Sequence, residues 1–201
     1  MSKKDIYLFI TAIISVMIPV PANFAYIILI LFNLNIIVLV GTGAKILIRK
    51  LSLGNLDKPL LLVFIVSLTI ILKQLIVFYS PVIALTLSLA VYITPFATFL
   101  TGNLISNDTE DSKKLFKNNE ITIGMFTLAT LLISLLREIL AYGTLSLPGR
   151  NGIIIFKTIF NKIGLYSFFW GTIPGLFIIS GVILAVVTFI QRKIEIAGRM
   201  N

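Results

Sequence analysis

Apolar residues in this chain come in long unbroken runs, not in the alternation of a half-buried strand or the one-sided stripe of a soluble helix. Six runs stand out: Ile6 to Val20, Phe24 to Ile48, Pro59 to Tyr79, Pro81 to Leu100, Ile121 to Tyr142 and Ser167 to Ile190. A helix that crosses about 30 Å of hydrocarbon needs roughly 20 residues at 1.5 Å each. The pattern therefore predicts an all-α, polytopic membrane protein with six transmembrane helices, forming one integral membrane domain over residues 1–201. The first run is the shortest. Lys3, Lys4, that run and Val20-Pro21-Ala22 also fit a signal peptide, whose removal would leave five spans; the proline beside the cut and the immediate onset of the next run weigh against it.

Three spans in each half, about 5–80 and 81–192, oblige the second half to run inverted relative to the first, the arithmetic of a 3+3 inverted repeat. The leading helix of each half carries proline, in "MIPVP" (Met17 to Pro21) and in "ITPF" (Ile93 to Phe96). Proline removes a backbone donor and clashes with the preceding turn, so a break or kink is expected at Pro19 and at Pro95. Paired breaks place freed backbone groups near the midplane, where transport sites form. Prolines are also common in membrane helices, and two can align by chance. In the sixth run, Gly171, Gly175, Gly181 and Ala185 read as a helix-packing face, with a hinge at Pro174 as the alternative. Asn33 and Asn35 are two apart, on nearly opposite faces of one helix, and read as interhelical hydrogen-bonding groups.

Composition agrees with the pattern. The chain is 58% hydrophobic and 12% charged, about half the charged fraction of an ordinary globular domain. A formal charge of +9 would suit nucleic acid, but the cations lie between the apolar runs and not on one patch, so no nucleic-acid partner is expected. Twelve Lys and Arg fall on the side of the N-terminus, and three, Arg150, Lys157 and Lys162, on the other. Because cations accumulate on the cytoplasmic side, both termini are expected there. The chain has neither cysteine nor histidine, which removes thiolate-held clusters, histidine-ligated haem and internal disulfides. No phosphate loop, carboxylate pair or nucleophile–base arrangement suggests soluble enzyme chemistry. The stretch Ser106 to Glu120 reads as a solvated loop, and Gly143 to Tyr166, with its "GIIIFKTIF", as a segment lying on the membrane surface as an amphipathic helix.

One charged pair lies within a span. Arg137 and Glu138 are adjacent, so their side chains leave the helix about 100° apart and need separate partners. Arg137 can snorkel to the interface as an anchor. Glu138 is the one acidic residue inside a span, and is either an ion-path group or a cap for the turn that follows.

The stretch "LLREILAYGTL" resembles the "LREILGxGTL" signature of the small six-span membrane subunits of the Rnf and Nqr complexes, which couple electron transfer to ion translocation. The likeness extends over "TIGMFTLATLLISLLREILAYGTL" and "FFWGTIPGLFIISGVILAV"; the N-terminal half matches in span count only. The resemblance implies the D, E or A type of subunit, other integral membrane subunits as partners, a homologous inverted partner among them, and an iron–sulfur cluster held by one cysteine from each broken helix. This chain departs at that point. Ile18 precedes Pro19 where the family has cysteine, and Phe96, Thr98 or Phe99, depending on alignment, stands at the second position. The expectation is therefore a subunit of an Rnf/Nqr-like complex with no cofactor of its own. The alternatives are a small secondary transporter on the same scaffold and a membrane assembly or scaffold subunit. The residues to watch are Glu138, Arg137, Pro19 and Pro95.

Overall fold

The computed structural model describes residues 3–51, 56–100, 112–157 and 167–199. Its elements in chain order are α1 (Lys3–Met17), α2 (Phe24–Lys50), α3 (Asp57–Tyr79), α4 (Pro81–Thr86), α5 (Ala90–Leu100), α6 (Ser112–Tyr142), β1 (Thr144–Gly149), β2 (Gly152–Lys157), a 3-10 turn (Phe168–Gly171) and α7 (Ile173–Arg199). Among the described residues, three helical stretches are long and apolar enough to cross a membrane: Phe24–Lys50, Asp57–Tyr79 and Asn119–Tyr142. A shorter apolar stretch, Ile173–Phe189, lies in α7. The chain is thus a mostly helical protein of membrane character, and its sequence-predicted first and fourth runs are a 15-residue helix and an interrupted pair of helices.

α2 and α6 form the antiparallel spine. Three polar contacts mark their register: Phe24 N–H to Glu138, Asn35 to Thr127, and Asn119 to Thr42. The rungs are 11 and 7 residues apart along α2, close to three turns and two turns, which keeps them on one face. α1 lies against α5, and α3 folds back along α2. The main core gathers Ile13 and Met17 of α1, Ile30 of α2, Leu87, Phe126 of α6 and Leu176 of α7. A smaller cluster, including Ile37, Ile48 and Ile65, joins α2 to α3. Hydrocarbon solvent removes most of the hydrophobic drive between such helices, so close packing and interhelical hydrogen bonds carry the association. One such contact is Lys73, whose Nζ lies 3.2 Å from Tyr92 Oη, tying α3 to α5.

Several expectations need correction. Pro95 does not end its helix: α5 runs through it, and the interruption falls at Leu87 to Leu89. The proline leaves the Val91 carbonyl without its usual donor four residues on, and the Thr94 hydroxyl donates to that carbonyl at 2.7 Å. The Ile153-Ile154-Ile155 run is not a surface helix but strand β2, paired antiparallel with β1 in the register Ser146↔Ile155, so the fold is not purely α. β-Branched residues favour a pleated strand over a helix, and a two-residue connection, Arg150-Asn151, between Gly149 and Gly152 closes the hairpin. The remainder of that connection, 158–166, lies outside the described residues, as does 106–111 of the loop expected from Ser106 to Glu120. From Ser112 onward that loop is instead the first part of α6, held to α2 by the Asn119–Thr42 bond of 3.0 Å.

The small residues of the sixth run divide. Gly175 is a true close approach, since a Cβ there would sit 2.5 Å from the Phe169 carbonyl oxygen, whereas Gly181 and Ala185 are exposed. Pro174 stands in the first turn of α7, where its missing N–H has no intrahelical partner to lose.

Candidate functional site: a charged clamp on the first helix break

α1 stops at Met17, and the next helix does not begin until Phe24. The stop follows from "MIPVP": Pro19 and Pro21 have no N–H, and Pro21 is the residue whose amide would have bonded the Met17 carbonyl. A chain reversal of this kind exposes carbonyls at the end of one helix and amides at the start of another. In a low-dielectric interior those groups need partners.

Arg137 and Glu138 supply them. Arg137, 3% exposed, donates from Nη1 to the Met17 and Val20 carbonyls at 3.2 and 3.4 Å, and from Nη2 to the Gly171 carbonyl at 2.8 Å. Glu138, fully buried, accepts the Phe24 N–H and the Ser146 hydroxyl on Oε2, at 2.5 and 2.9 Å, and the Thr144 hydroxyl on Oε1 at 3.2 Å. Ser146 Oγ in turn accepts the Ala25 N–H at 3.1 Å. The adjacent N-cap residue, Asn23, makes no side-chain capping bond, so α2 is capped from across the fold.

The signs are matched to the helices they meet. A cation stands at the carbonyl end of α1 and an anion at the amide end of α2, each in the favourable sense of the helix dipole, worth up to about 2 kcal/mol when partly buried. The separation of about 100° between neighbours on α6 lets one dipeptide reach both ends of the break.

The turn after the pair belongs to the same device. Gly143 has φ 62°, the left-handed conformation that ends α6 and that other L-residues adopt only at a cost. It sends the chain into β1, where Thr144 and Ser146, two apart on a strand, share the face turned to Glu138. The polar–apolar alternation of "TLSL" was the signal for these two residues, and it is visible in the sequence. Gly171, just before α7, brings the third carbonyl to Arg137 and thereby joins the last helix to the clamp.

Chemically the arrangement is one of positioning. Both carboxylate oxygens of Glu138 and both terminal nitrogens of Arg137 are occupied by the protein's own groups, while Arg137 Nε is buried with no partner. Of the predicted residues, the fold brings Arg137 and Glu138 to the break that holds Pro19; Pro95 lies buried in α5. Ile18, 38% exposed, follows α1 directly, and Phe96 follows Pro95 within α5.

Neither residue fits the iron–sulfur cluster that the family resemblance implies, because a sec-butyl or benzyl side chain offers iron no donor atom. Asn35 makes the expected interhelical bond, 2.9 Å to Thr127, while Asn33 is buried with its Nδ2 unpartnered. Thr42, Asn119 and Thr127, which complete the α2–α6 rungs, were not singled out by the sequence; their only signal was spacing near multiples of a turn. Comparison with protein-family models, curated proteins and solved structures found no match.

Proposed function

We propose that this chain is a membrane subunit of an ion-translocating electron-transport complex of the Rnf/Nqr kind, carrying no redox centre itself. In this reading it crosses the bilayer six times as two inverted triplets with both termini cytoplasmic, in a bacterial cytoplasmic membrane. Its partners are other integral membrane subunits, one of them a homologue of similar size.

The observation that carries the reading is the clamp. The polar letters and the second glycine of the motif that resembles the family signature all have structural work here: Arg137 on α1, Glu138 on α2, Gly143 at the turn and Thr144 on Glu138. A motif with this task is expected where a scaffold keeps a helix broken inside the bilayer. Further support comes from packing, since α1 lies on α5 and α2 on α6, the pairing that a two-fold axis in the membrane plane would produce. The secondary-transporter alternative has less support, because it would assign coupling to Glu138, whose carboxylate is engaged in capping.

Purification of the chain from its native membrane under mild detergent tests the proposal. The expected result is co-purification with other integral membrane proteins and no stoichiometric iron in the isolated chain. A monodisperse monomer that by itself drives substrate uptake into liposomes would overturn it in favour of the transporter.

A further inference from the structure

A groove of about 700 Å³ runs between α2 and α3, lined by Leu39, Gly43 and Leu47 on one side and by Leu60 and Phe64 on the other, with Phe116 of α6 contributing to its wall. Gly43 helps to make the space, for a Cβ built there meets nothing within 4 Å. The one hydroxyl among the described lining residues, on Ser67, donates to the Val63 carbonyl at 2.9 Å, so the described wall is effectively hydrocarbon. Both walls belong to helices long and apolar enough to span a bilayer. Water in such a groove would find no partners, and lipid is the surrounding solvent.

Length and charge narrow the occupant. From Leu39 to Ile48 the lining extends nine residues along α2, about 14 Å at 1.5 Å per residue, or roughly one leaflet of a 30 Å hydrocarbon core. A transmembrane helix from a partner would need a groove through both leaflets, whereas an acyl chain needs only one. At the end of the groove α2 finishes and α3 begins, with Lys50 and Lys58 exposed, while the exposed Lys117 follows Phe116 of the groove wall; these cations outnumber the partly covered Asp57 and Glu120 nearby in the chain. Lys50 continues the stripe of Gly43 and Leu47, three residues beyond the latter.

We propose that this groove holds one acyl chain of an anionic phospholipid whose phosphate is met by Lys50 and Lys117. The inference requires only that α2 and α3 be embedded in a bilayer, and stands apart from the electron-transport reading. The test is native mass spectrometry of the full chain in detergent, after incubation with equimolar phosphatidylglycerol and phosphatidylcholine of identical acyl composition. One tightly retained phosphatidylglycerol per chain is expected, with at least a tenfold preference over phosphatidylcholine.

Gly43→Phe should abolish the retained adduct by filling the groove. Because that change can also disturb folding, Lys50→Gln and Lys117→Gln, both at exposed positions, provide the second arm: each should lower the preference about fivefold, as expected for one lysine near an anionic headgroup. Equal retention of the two lipids by the unaltered chain would overturn the proposal. So would undiminished phosphatidylglycerol binding in a folded Gly43→Phe protein or in the double lysine variant, or a dimer peak in place of the lipid adduct.

Discussion

The two interruptions in this protein are stabilised in opposite ways. At the first, between α1 and α2, the exposed backbone groups are met by residues more than a hundred positions away: Arg137 on the Met17 and Val20 carbonyls, Glu138 on the Phe24 amide. At the second, Leu87 to Leu89, the chain satisfies itself. Leu87 and Val91 donate to the carbonyls of Ile83 and Leu87, at 2.9 and 3.1 Å, and Thr94 repairs the defect left by Pro95.

The difference follows from how much the chain turns. A three-residue stutter within an otherwise helical path keeps neighbouring donors and acceptors within reach, but the segment from Ile18 to Asn23 leaves the helix, and the local contact across the turn is a long one, from the Val20 N–H to the Met17 carbonyl at 3.4 Å. The price is dependence: the prolines stop α1 by themselves, but the groups that the break exposes are met only when α6, β1 and the Gly171 turn are in place. A local repair should be worth one hydrogen bond, and a remote clamp much more.

The largest effect should come from Arg137→Met. It removes the charged donor from the Met17, Val20 and Gly171 carbonyls at once, and buried hydrogen bonds to a charged group are worth about 1.5–3 kcal/mol each, so the loss should exceed that of any single-bond variant. Equilibrium unfolding in mixed detergent micelles would measure it. If this variant loses no more than Thr94→Val in α5, the contrast between remote and local repair fails.

Next comes Glu138→Gln, which keeps size but replaces one acceptor with a donor facing the donors at Phe24 and Ser146. A loss of about 1.5–3 kcal/mol is expected, the scale of hydrogen bonds to a charged group. The same unfolding assay, paired with amide hydrogen exchange at Phe24 and Ala25, should show faster exchange at the start of α2 specifically. Unchanged exchange there would remove Glu138 from its capping role.

Gly143→Ala should cost about 1–2 kcal/mol through the left-handed backbone alone. The change should leave the lateral contacts of α6 intact, so a much larger loss, or none, would mean that the turn works differently. The smallest effect belongs to Thr94→Val, about 1 kcal/mol for one neutral hydrogen bond. In a Pro95→Ala background, where the restored amide can bond Val91, that loss should nearly vanish. A full-sized loss in both backgrounds would contradict the repair role of Thr94, and such a double-mutant cycle measures the coupling directly.

Much of the helical layout was legible because it depends on runs of apolar residues. The starts of α2 and the ends of α3 and α6 fall where the hydropathy pattern placed them. The first break was legible for the same reason: two prolines two residues apart act on their own backbone. At Pro95 the helix does not break, because proline reports a missing donor, while the outcome depends on whether another donor is near, and Thr94 is.

The run Ile153 to Ile155 forms a strand and not a surface helix because its β-branching and the glycines that bound the turn outweigh its average hydrophobicity. For the candidate site, sequence reasoning isolated Arg137 and Glu138 and recognised that adjacent residues must part. It offered an anchor and either an ion-path group or a cap for the following turn. The groups actually engaged, the Met17 and Gly171 carbonyls and the Phe24 amide, are backbone atoms and have no residue identity to detect.

What the sequence determined by itself was therefore the membrane character, most helix positions and the place where α1 must stop, since each rests on short-range properties of consecutive residues. The tertiary structure decided where a buried arginine and glutamate would direct their charge. That choice depends on which broken helix ends lie beside α6, and their closeness arises only when segments far apart in the chain pack together.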